Sequence, residues 1–327
     1  MISVTIIGVL VYYIDPKQLS AALINAKPMY LLICLGLIAI NRTLMPLKWN
    51  LLLRSQKINA GWIYTIKIYF ISSFLGFFLP PTIGADMIRV YYVHRKNIEI
   101  SNILSSIIIE RLIGFITLIF FGILGCVLLA NFFVSIEFDV NRILALFIVG
   151  FITLAVLFWV SFTEWFNQFL SVFLKIFKNK KILGKVESII NKFYGSYKQY
   201  KNSKGTLFVF TLLTCIEITL PILRSYFVAK ALNVDISLIY FFAFLPVILL
   251  LIRLPISFDG FGIQEGGFAY FLSLAGATAT EGFSVGLVNH LIFILGILPG
   301  GIFYLTEKIN KKESAYIEVS SEKQIQE

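Results

Sequence analysis

The chain has 327 residues, of which 58% are hydrophobic and only 14% are charged, whereas about a quarter of the residues in a soluble domain are charged. The apolar residues form long blocks, several of about 20 residues or more, which is typical of membrane-spanning helices. A chain of this size cannot bury all of these blocks in one soluble core. The composition therefore predicts an all-α, polytopic integral membrane protein.

The net charge of +10 does not by itself indicate a nucleic-acid partner. The lysines cluster between the hydrophobic blocks, as expected for cytoplasmic loops that face anionic lipid. That distribution differs from the basic footprint of a nucleic-acid-binding protein. We therefore expect membrane lipids, and no nucleic acid, as partners.

The residue types that carry catalysis or bind metals are scattered. Cys34, Cys126 and Cys215 each lie inside an apolar block, and no two of them have metal-ligand spacing. His94 and His290 are isolated, and an isolated histidine is more often structural than a ligand. The chain also lacks a phosphate-binding Gly-rich loop and a nucleophile elbow. We therefore expect no enzyme activity, no cofactor and no metal site.

The predicted elements begin with a short apolar block at residues 2–14. It lacks a basic n-region and a small-residue cleavage site, so it is interpreted as a retained first helix and not as a signal peptide. The second block, residues 28–53, carries Arg42 and Lys48 in its later part, and these residues and Arg54 surround Trp49. Basic residues around a tryptophan predict anchoring at a membrane–water interface.

Two later apolar blocks end in breaks. Residues 62–78 and residues 236–252 are each followed by a Leu-Pro pair, glycines and acidic residues, a combination that does not continue a helix. Each break is interpreted as the turn of a helical hairpin, either re-entrant or fully spanning. The residues that make the breaks are Pro80 and Gly84 in the first, and Pro255, Gly260 and Gly262 in the second.

Full spans are predicted on both sides of each hairpin, with one further span at residues 143–162. The distribution of Lys and Arg places the two halves, residues 28–130 and 205–306, in opposite orientations. Span–hairpin–span would then occur twice, as the inverted-topology repeat of many secondary transporters. The alternative is a plain bundle with proline kinks, which transmembrane helices tolerate.

The segment between the halves, residues 164–204, contains nine Lys and two Glu, which places it on the cytoplasmic side. Its apolar residues recur every three or four positions, which predicts an amphipathic helix on the membrane surface or packed under the bundle. We expect one transmembrane domain over residues 1–310 and a disordered cytoplasmic tail over 311–327. The N-terminus is also predicted to be cytoplasmic. The membrane that the protein spans is predicted to be a prokaryotic-type cell (inner) membrane.

An ionisable side chain at membrane depth costs roughly 2.5–3.5 kcal/mol on insertion scales, so it needs a partner or a function. Broken helices expose N-termini that attract anions, and arginine suits phosphate. We therefore predict a polar cavity between the hairpins that holds a phosphate-bearing headgroup while its hydrocarbon chains stay in lipid. The candidate residues are Asp86, Arg89, Glu110, Arg111, Arg253, Ser257, Asp259 and Glu265, with Glu217 and Arg224 as secondary intramembrane charges.

The alternative interpretation is that these charges only hold helices together. Glu110 and Arg111 are adjacent, so they point about 100° apart on a helix and are each expected to meet a group on another element. Glu217 and Arg224 are seven positions apart, which puts them two turns apart on the same helix face. The glycines of the breaks are expected to let a headgroup approach the backbone closely.

Two groups of motifs, in this order, resemble the family of the transmembrane region of lysylphosphatidylglycerol synthases, also called the flippase-like family or uncharacterised protein family 0104. The resemblance covers roughly residues 1–310. The first group is Leu79-Pro80, Gly84, Asp86 and Arg89, followed by Glu110-Arg111. The second group is Leu254-Pro255, Ser257, Gly260, Gly262 and Glu265.

In that family, bifunctional members flip an aminoacylated phospholipid made by a separate C-terminal transferase domain. This chain is similar to the stand-alone members, so the resemblance implies a lipid flippase without synthase activity. Lys48, Ala85 and Gln264 stand where the family usually has arginine, a second glycine and a basic residue. The change at Gln264 argues against a cationic contact at the second hairpin and leaves the identity of the lipid open.

The leading hypothesis is a lipid translocase, or flippase, for an anionic or aminoacylated phospholipid or a polyprenyl-phosphate lipid. An ion-coupled secondary transporter of a small solute fits an inverted repeat equally well. A third hypothesis is a non-catalytic membrane partner of an enzyme that makes envelope lipid or glycan, and a membrane-embedded enzyme is the least favoured. Directional transport would use an ion gradient or downstream consumption, with Asp86, Glu110, Glu217 and Glu265 as candidate proton carriers.

Overall fold

Every element that the structure describes is helical. The computed structural model describes residues 20, 24–79, 83–132, 140–162, 191–253, 257 and 259–325. Five of the described helices are long and apolar enough to cross a membrane, so the prediction of an all-α polytopic membrane protein is confirmed. The predicted first helix at residues 2–14 lies outside the described residues, as do Pro80 and Pro255.

The described helices alternate between long spans and pairs of short helices. They are α1 (Pro28–Ser55), α2 (Trp62–Phe77), α3 (Ile83–His94), α4 (Ile100–Phe132), α5 (Val140–Ser161), α6 (Lys204–Ala231), α7 (Leu238–Ile252), α8 (Ile263–Ser273) and α9 (Ala279–Ile325). Helices α2 and α3 have 16 and 12 residues, and α7 and α8 have 15 and 11. A full span needs about 20 residues. Because α2 packs on α3 and α7 packs on α8, both predicted hairpins form.

The second break depends on an unusual backbone. Asp259, Gly260 and Gly262 all have positive φ, at 46°, 81° and 83°. Glycine adopts this left-handed conformation freely, and aspartate is one of the few other residues that tolerate it. A Cβ on Gly260 would also collide with the side chain of Ile252 at the end of α7. The chain can therefore reverse sharply here and still keep α8 against α7.

The two halves cross where α1 and α6 pack against each other in antiparallel directions. The start of α1 lies beside the end of α6, because the Lys27 amide donates a hydrogen bond to the Ala231 carbonyl at 2.8 Å. Near the middle, Asn41 Nδ2 donates to the Glu217 carbonyl at 3.1 Å. Helix α1 opens the first half and α6 opens the second. The halves therefore run in opposite directions, as an inverted repeat requires.

The first arm of each hairpin packs on a long helix of the other half. Helix α2 packs on α9, and α7 packs on α4. A glycine in each long helix permits this approach. A Cβ on Gly125 of α4 would collide with the backbone of Phe242, and a Cβ on Gly300 of α9 would collide with the backbone of Phe70. The same contact thus occurs twice, as expected for two halves related by a pseudo-two-fold axis.

The described part of the Lys-rich segment packs under the bundle. Residues 191–199 are helical and lead into a 3-10 turn, Tyr200–Asn202. Tyr197 and Tyr200 are buried with Leu52 of α1 and Phe210 of α6, and the Tyr200 hydroxyl donates to the Leu52 carbonyl at 3.1 Å. This contact supports the packed form of the predicted amphipathic helix. Residues 164–190 lie outside the described part of the chain.

The last helix is longer than the sequence predicts. Helix α9 continues to Ile325, through most of the segment 311–327 for which we predict disorder. A helix that is already nucleated adds residues at low cost, and the Glu, Lys and Ala residues of this extension have high helix propensity. The tail is therefore a helical continuation of the last span.

The inverted repeat predicts that the loops flanking the two hairpins face opposite sides of the membrane. Glu99 and Ser237 are exposed loop residues beside the first and second hairpin. In a background without the native cysteines, a membrane-impermeant maleimide applied to intact cells should label Ser237→Cys and not Glu99→Cys, because the Lys-rich loops are expected inside. Permeabilised cells should show both labels. Labelling of both residues from one side would contradict the inverted topology.

Candidate functional site

A cavity of about 290 Å³ lies where the two halves cross, with walls from α1, α2, α3, α4, α6 and α9 and from the break after α7. The charged residues on its wall are Arg42, Lys48, Asp86, Arg89, Glu110, Arg111, Glu217, Arg253 and Asp259. This is a high concentration of charge inside a membrane-spanning bundle, where each charge needs a partner or a function. The way in which these side chains pair therefore decides what the cavity can bind.

Four of these residues form one ion cluster between the first hairpin and α4. Arg89 donates from Nη1 to Glu110 Oε2 at 2.6 Å and from Nη2 to Asp86 Oδ1 at 2.5 Å. Arg111 donates from Nη2 to Asp86 Oδ2 at 2.9 Å. Glu110 and Arg111 are adjacent in the chain and nevertheless pair with different residues of α3. The expectation that each meets a group on another element is confirmed.

The surroundings of Arg89 explain how its charge is tolerated. Arg89 is 3% exposed, and its guanidinium lies over the rings of Trp49 and Tyr69, 4.9 Å from each centroid. The Tyr69 hydroxyl donates to Glu110 Oε1 at 3.2 Å. Asp86 lies in the first turn of α3, where the helix dipole favours a negative charge. The cluster is therefore internally balanced and fastens the hairpin to α4.

A second buried ion pair, Lys48 with Glu217, joins α1 to α6 at their crossing. Lys48 also donates to Thr214 Oγ1 at 3.1 Å. The prediction of an interfacial anchor is wrong for Arg42, Lys48 and Trp49, because these side chains are only 7%, 2% and 0% exposed, whereas Arg54 is exposed. The packing of α6 and the hairpins around this part of α1 moves it from the membrane interface to the centre of the bundle.

Glu217 and Arg224 do not pair with each other, although they share a face of α6. Glu217 is bound by Lys48 of α1, whereas Arg224 Nε donates to Asn289 Oδ1 of α9 at 3.1 Å. Arg224 is also absent from the cavity wall. Its position supports the interpretation that this charge holds helices together.

Glu265 is buried behind the cavity wall, at the start of α8. Its Oε2 accepts a hydrogen bond from the Gly262 amide at 2.7 Å, and its Oε1 lies 2.8 Å from His290 Nδ1 of α9. Phe261 stacks on the imidazole with a centroid distance of 3.9 Å. His290 is not among the site residues predicted from the sequence, because it is isolated in the chain and gains its partner only through tertiary packing.

The two halves use equivalent acid–base pairs. Asp86 and Arg111 are 25 residues apart, and Glu265 and His290 are also 25 residues apart. In each half, the acid lies in the first turn of the second hairpin arm, and the basic partner lies on the next long helix. This repeated spacing is the one sequence signal that could have identified His290.

Two cavity arginines have no carboxylate partner among the residues that the structure describes. Arg42 lies over the Phe293 ring and Arg253 over the Phe115 ring, each with the guanidinium carbon 4.5 Å from the centroid. Arg42 Nε and Arg253 Nη1 are buried and make no hydrogen bond within the described part of the chain. Buried N–H groups without acceptors are rare and costly, so these two side chains are suited to receive an anionic group.

The glycines of the breaks have a different role from the predicted one. Gly76 and Gly114 line the cavity, whereas Gly84, Gly260 and Gly262 do not. The position of a Cβ on Gly84 is filled by Leu79, so this glycine serves the packing of the hairpin. A headgroup in the cavity would therefore not contact Gly84, Gly260 or Gly262, although Arg253 and Asp259 of the second break lie on the cavity wall.

Ser257 lies in the second break and is 7% exposed, but it is not on the cavity wall. Its hydroxyl has no hydrogen-bond partner among the described residues. Within the same residues, no three His, Cys, Asp or Glu side chains are placed to hold a metal ion.

The ion cluster predicts a large effect of Glu110→Gln on stability. The change removes one buried partner of Arg89, and breaking a buried ion pair costs about 3–5 kcal/mol. We expect the free energy of unfolding to fall by about 3 kcal/mol, because Asp86 still partly neutralises Arg89. Unfolding in mixed micelles, followed by tryptophan fluorescence, would measure it.

The matched control is Glu99→Gln. Glu99 forms an exposed pair with Lys192 at 3.7 Å, so its loss should change stability by less than about 1 kcal/mol. Equal effects of the two substitutions would show that the cluster does not fasten the first hairpin.

Comparison with known proteins agrees with this architecture. The family model described as the lysylphosphatidylglycerol synthase TM region matches residues 1–300. A UPF0104 membrane protein of Methanothermobacter thermautotrophicus is 22% identical over 318 residues, which cover 92% of both chains. A UPF0104 membrane protein of Pyrococcus horikoshii is 21% identical over 321 residues, which cover 94% of this chain and 96% of the relative. The protein thus belongs to the family of the lysylphosphatidylglycerol synthase transmembrane region.

Proposed function

We propose that this protein is a lipid translocase that moves an anionic or aminoacylated phospholipid, or a polyprenyl-phosphate lipid, across the membrane. The observation that carries the proposal is the pair Arg42 and Arg253, which line the central cavity without a carboxylate partner among the described residues. The other cavity cations, Lys48, Arg89 and Arg111, are already engaged by carboxylates. An anion in the cavity would therefore bind to the two free guanidinium groups.

The chemistry of the two arginines favours phosphate. A guanidinium offers several N–H donors in a planar fork that matches phosphate oxygens. Charge-assisted hydrogen bonds of this kind are stronger in a low-dielectric interior than in water. A phosphodiester held here would satisfy Arg42 Nε and Arg253 Nη1 and offset the cost of burying both charges.

The size of the cavity favours a headgroup over a whole lipid. Pockets that enclose a drug-sized molecule have volumes of about 300–1,000 Å³, and this cavity has about 290 Å³. A phosphate-bearing headgroup fits, but acyl or prenyl chains do not. The chains would stay in the bilayer while the headgroup crosses through the bundle.

The inverted repeat supports movement across the membrane. Repeats of this type place a binding site at their interface, and alternating access arises when one repeat moves against the other around the site. Here the cavity lies at the interface, and the two hairpins approach it from opposite halves. As part of the proposal, the protein moves its lipid without changing it chemically, and an enzyme that makes lipid or glycan is the expected partner.

An ion-coupled transporter of a small anionic solute is the second candidate. The small volume of the cavity favours it, because a soluble anion could occupy the same 290 Å³ without any hydrocarbon chain. The two functions differ in the route by which the ligand enters. A lipid enters sideways from the bilayer, whereas a solute enters from water.

Removal of either free arginine should slow transport of an anionic lipid. Purified protein in liposomes with a fluorescent phosphatidylglycerol gives the rate of transbilayer movement. We expect Arg42→Gln and Arg253→Gln each to lower this rate about tenfold or more, because a hydrogen bond to a charged group contributes about 1.5–3 kcal/mol.

The matched control is Arg54→Gln. Arg54 is exposed and lies over the Trp62 ring, away from the cavity wall, so its loss should leave the rate unchanged. Equal rates in all four proteins would contradict the role of the two arginines. If the wild type moves no anionic, aminoacylated or prenyl-phosphate lipid but takes up a soluble phosphate ester, the solute-transporter function would replace the proposal.

A further inference from the structure

The hydrogen bonds around Glu265 determine the tautomer of His290. Glu265 Oε2 accepts from the Gly262 amide, and its Oε1 faces His290 Nδ1 at 2.8 Å. An ionised carboxylate only accepts hydrogen bonds, so Nδ1 must carry the proton. In the neutral imidazole the other nitrogen, Nε2, then has a lone pair and is an acceptor.

His290 Nε2 faces a second acceptor. Asp259 Oδ2 lies 3.9 Å away, which is beyond hydrogen-bond distance. Both atoms are buried and have no hydrogen-bond partner among the described residues. Two lone-pair atoms that face each other without a hydrogen repel, and the pair lacks one proton to form a hydrogen bond. His290 is only 1% exposed, so bulk water cannot easily supply the missing partner.

The other groups around this pair are known from the helices that pack there. Helix α8 contributes Glu265, and the break contributes Asp259 and Phe261. Helix α1 contributes Arg42, which interacts electrostatically with Asp259 and lies over the Phe293 ring, one turn after His290. The site therefore contains two carboxylates, one arginine and one imidazole. A protonated His290 would lie between two carboxylates, and these opposite charges favour its charged form.

We propose that His290 and Asp259 form a proton-binding site that couples protonation to the position of the second hairpin. The added proton makes His290 a cation with donors on both nitrogens, and Nε2 then donates to Asp259 Oδ2. Closing the 3.9 Å gap to about 2.8 Å draws the break towards α9. The backbone of Asp259, with φ of 46°, lies at the pivot of this movement.

Asp259 connects the proton site to the central cavity. It is on the cavity wall beside Arg42 and Arg253. When the proton is absent, the Asp259 carboxylate is available to Arg42. It then competes with an anionic ligand for that arginine. When His290 is protonated, it engages Asp259 and leaves Arg42 to the ligand. Proton binding and anion binding would thus favour each other, as linkage requires.

The first half offers a fixed counterpart. Arg111 occupies the position that His290 holds in the second half, 25 residues after its acid. Arginine stays protonated in proteins, so the basic partner in the first half keeps its charge, whereas an imidazole can gain or lose a proton. In this proposal the second hairpin is therefore the one whose basic partner responds to protons.

The chain contains only two histidines, so one substitution isolates the signal of His290. His94 is exposed and distant from the cavity wall, and His94→Gln leaves a single imidazole for nitrogen-15 NMR in lipid nanodiscs. We expect Nδ1 to stay protonated throughout and Nε2 to gain a proton as the pH is lowered. When Asp259→Asn is added to His94→Gln, protonation of Nε2 should require a proton concentration about tenfold higher, because one neighbouring negative charge is lost. An Nε2 signal that does not change as the pH is lowered, or that is the same with and without Asp259→Asn, would overturn the proposal.

The coupling itself rests on the proposed function and needs a second measurement. In liposomes with an imposed pH gradient, movement of fluorescent phosphatidylglycerol should accelerate several-fold in the wild type and in His94→Gln, but not in His290→Gln. If the imidazole titrates as expected but no lipid moves in any protein, the proton site stands and the lipid function fails. If lipid moves at the same rate with and without the gradient, the coupling fails and the lipid function stands.

Discussion

Two broken hairpins inside a membrane-spanning bundle are the constraint on which the rest of this structure depends. Irregular backbone at membrane depth is tolerated only where protein or an aqueous cavity surrounds it. In each half, an acid–base pair holds the arm after the break against the next long helix, so that protein surrounds the break. The pairs are Asp86–Arg111 and Glu265–His290. The charges that predict a binding site therefore first serve to hold the hairpins in place.

The same constraint explains the position of the cavity. Each hairpin extends its first arm onto a long helix of the opposite half, and a glycine in that helix, Gly125 or Gly300, removes the obstructing Cβ. The arms then diverge around the crossing of α1 and α6, which Lys48 and Glu217 fasten at its centre. A polar space is left where the halves meet, so a ligand in it contacts both halves at once.

The charged residues of the site fall into two groups: those that are paired within the protein and those that could bind an anion. Arg89 pairs with both Asp86 and Glu110, so these three charges are satisfied without a ligand. Arg42 and Arg253 are not satisfied in this way among the described residues. In the proposed function, a substrate anion would be bound by two arginines that come from different halves, α1 and the end of α7. That arrangement makes binding sensitive to how the halves are positioned, which is what a transport cycle needs.

The sequence by itself determined the membrane class, the two hairpins and the inverted order of the elements, because hydropathy, proline and the Lys/Arg bias act locally along the chain. It also indicated that Glu110 and Arg111 need separate partners. Only the tertiary structure decided which charges are free. Arg42 and Lys48 resemble interfacial anchors in sequence but are buried in the folded bundle. His290 contacts Glu265 only because α8 packs on α9. Pairing and burial are properties of contacts between distant segments, which no local pattern specifies.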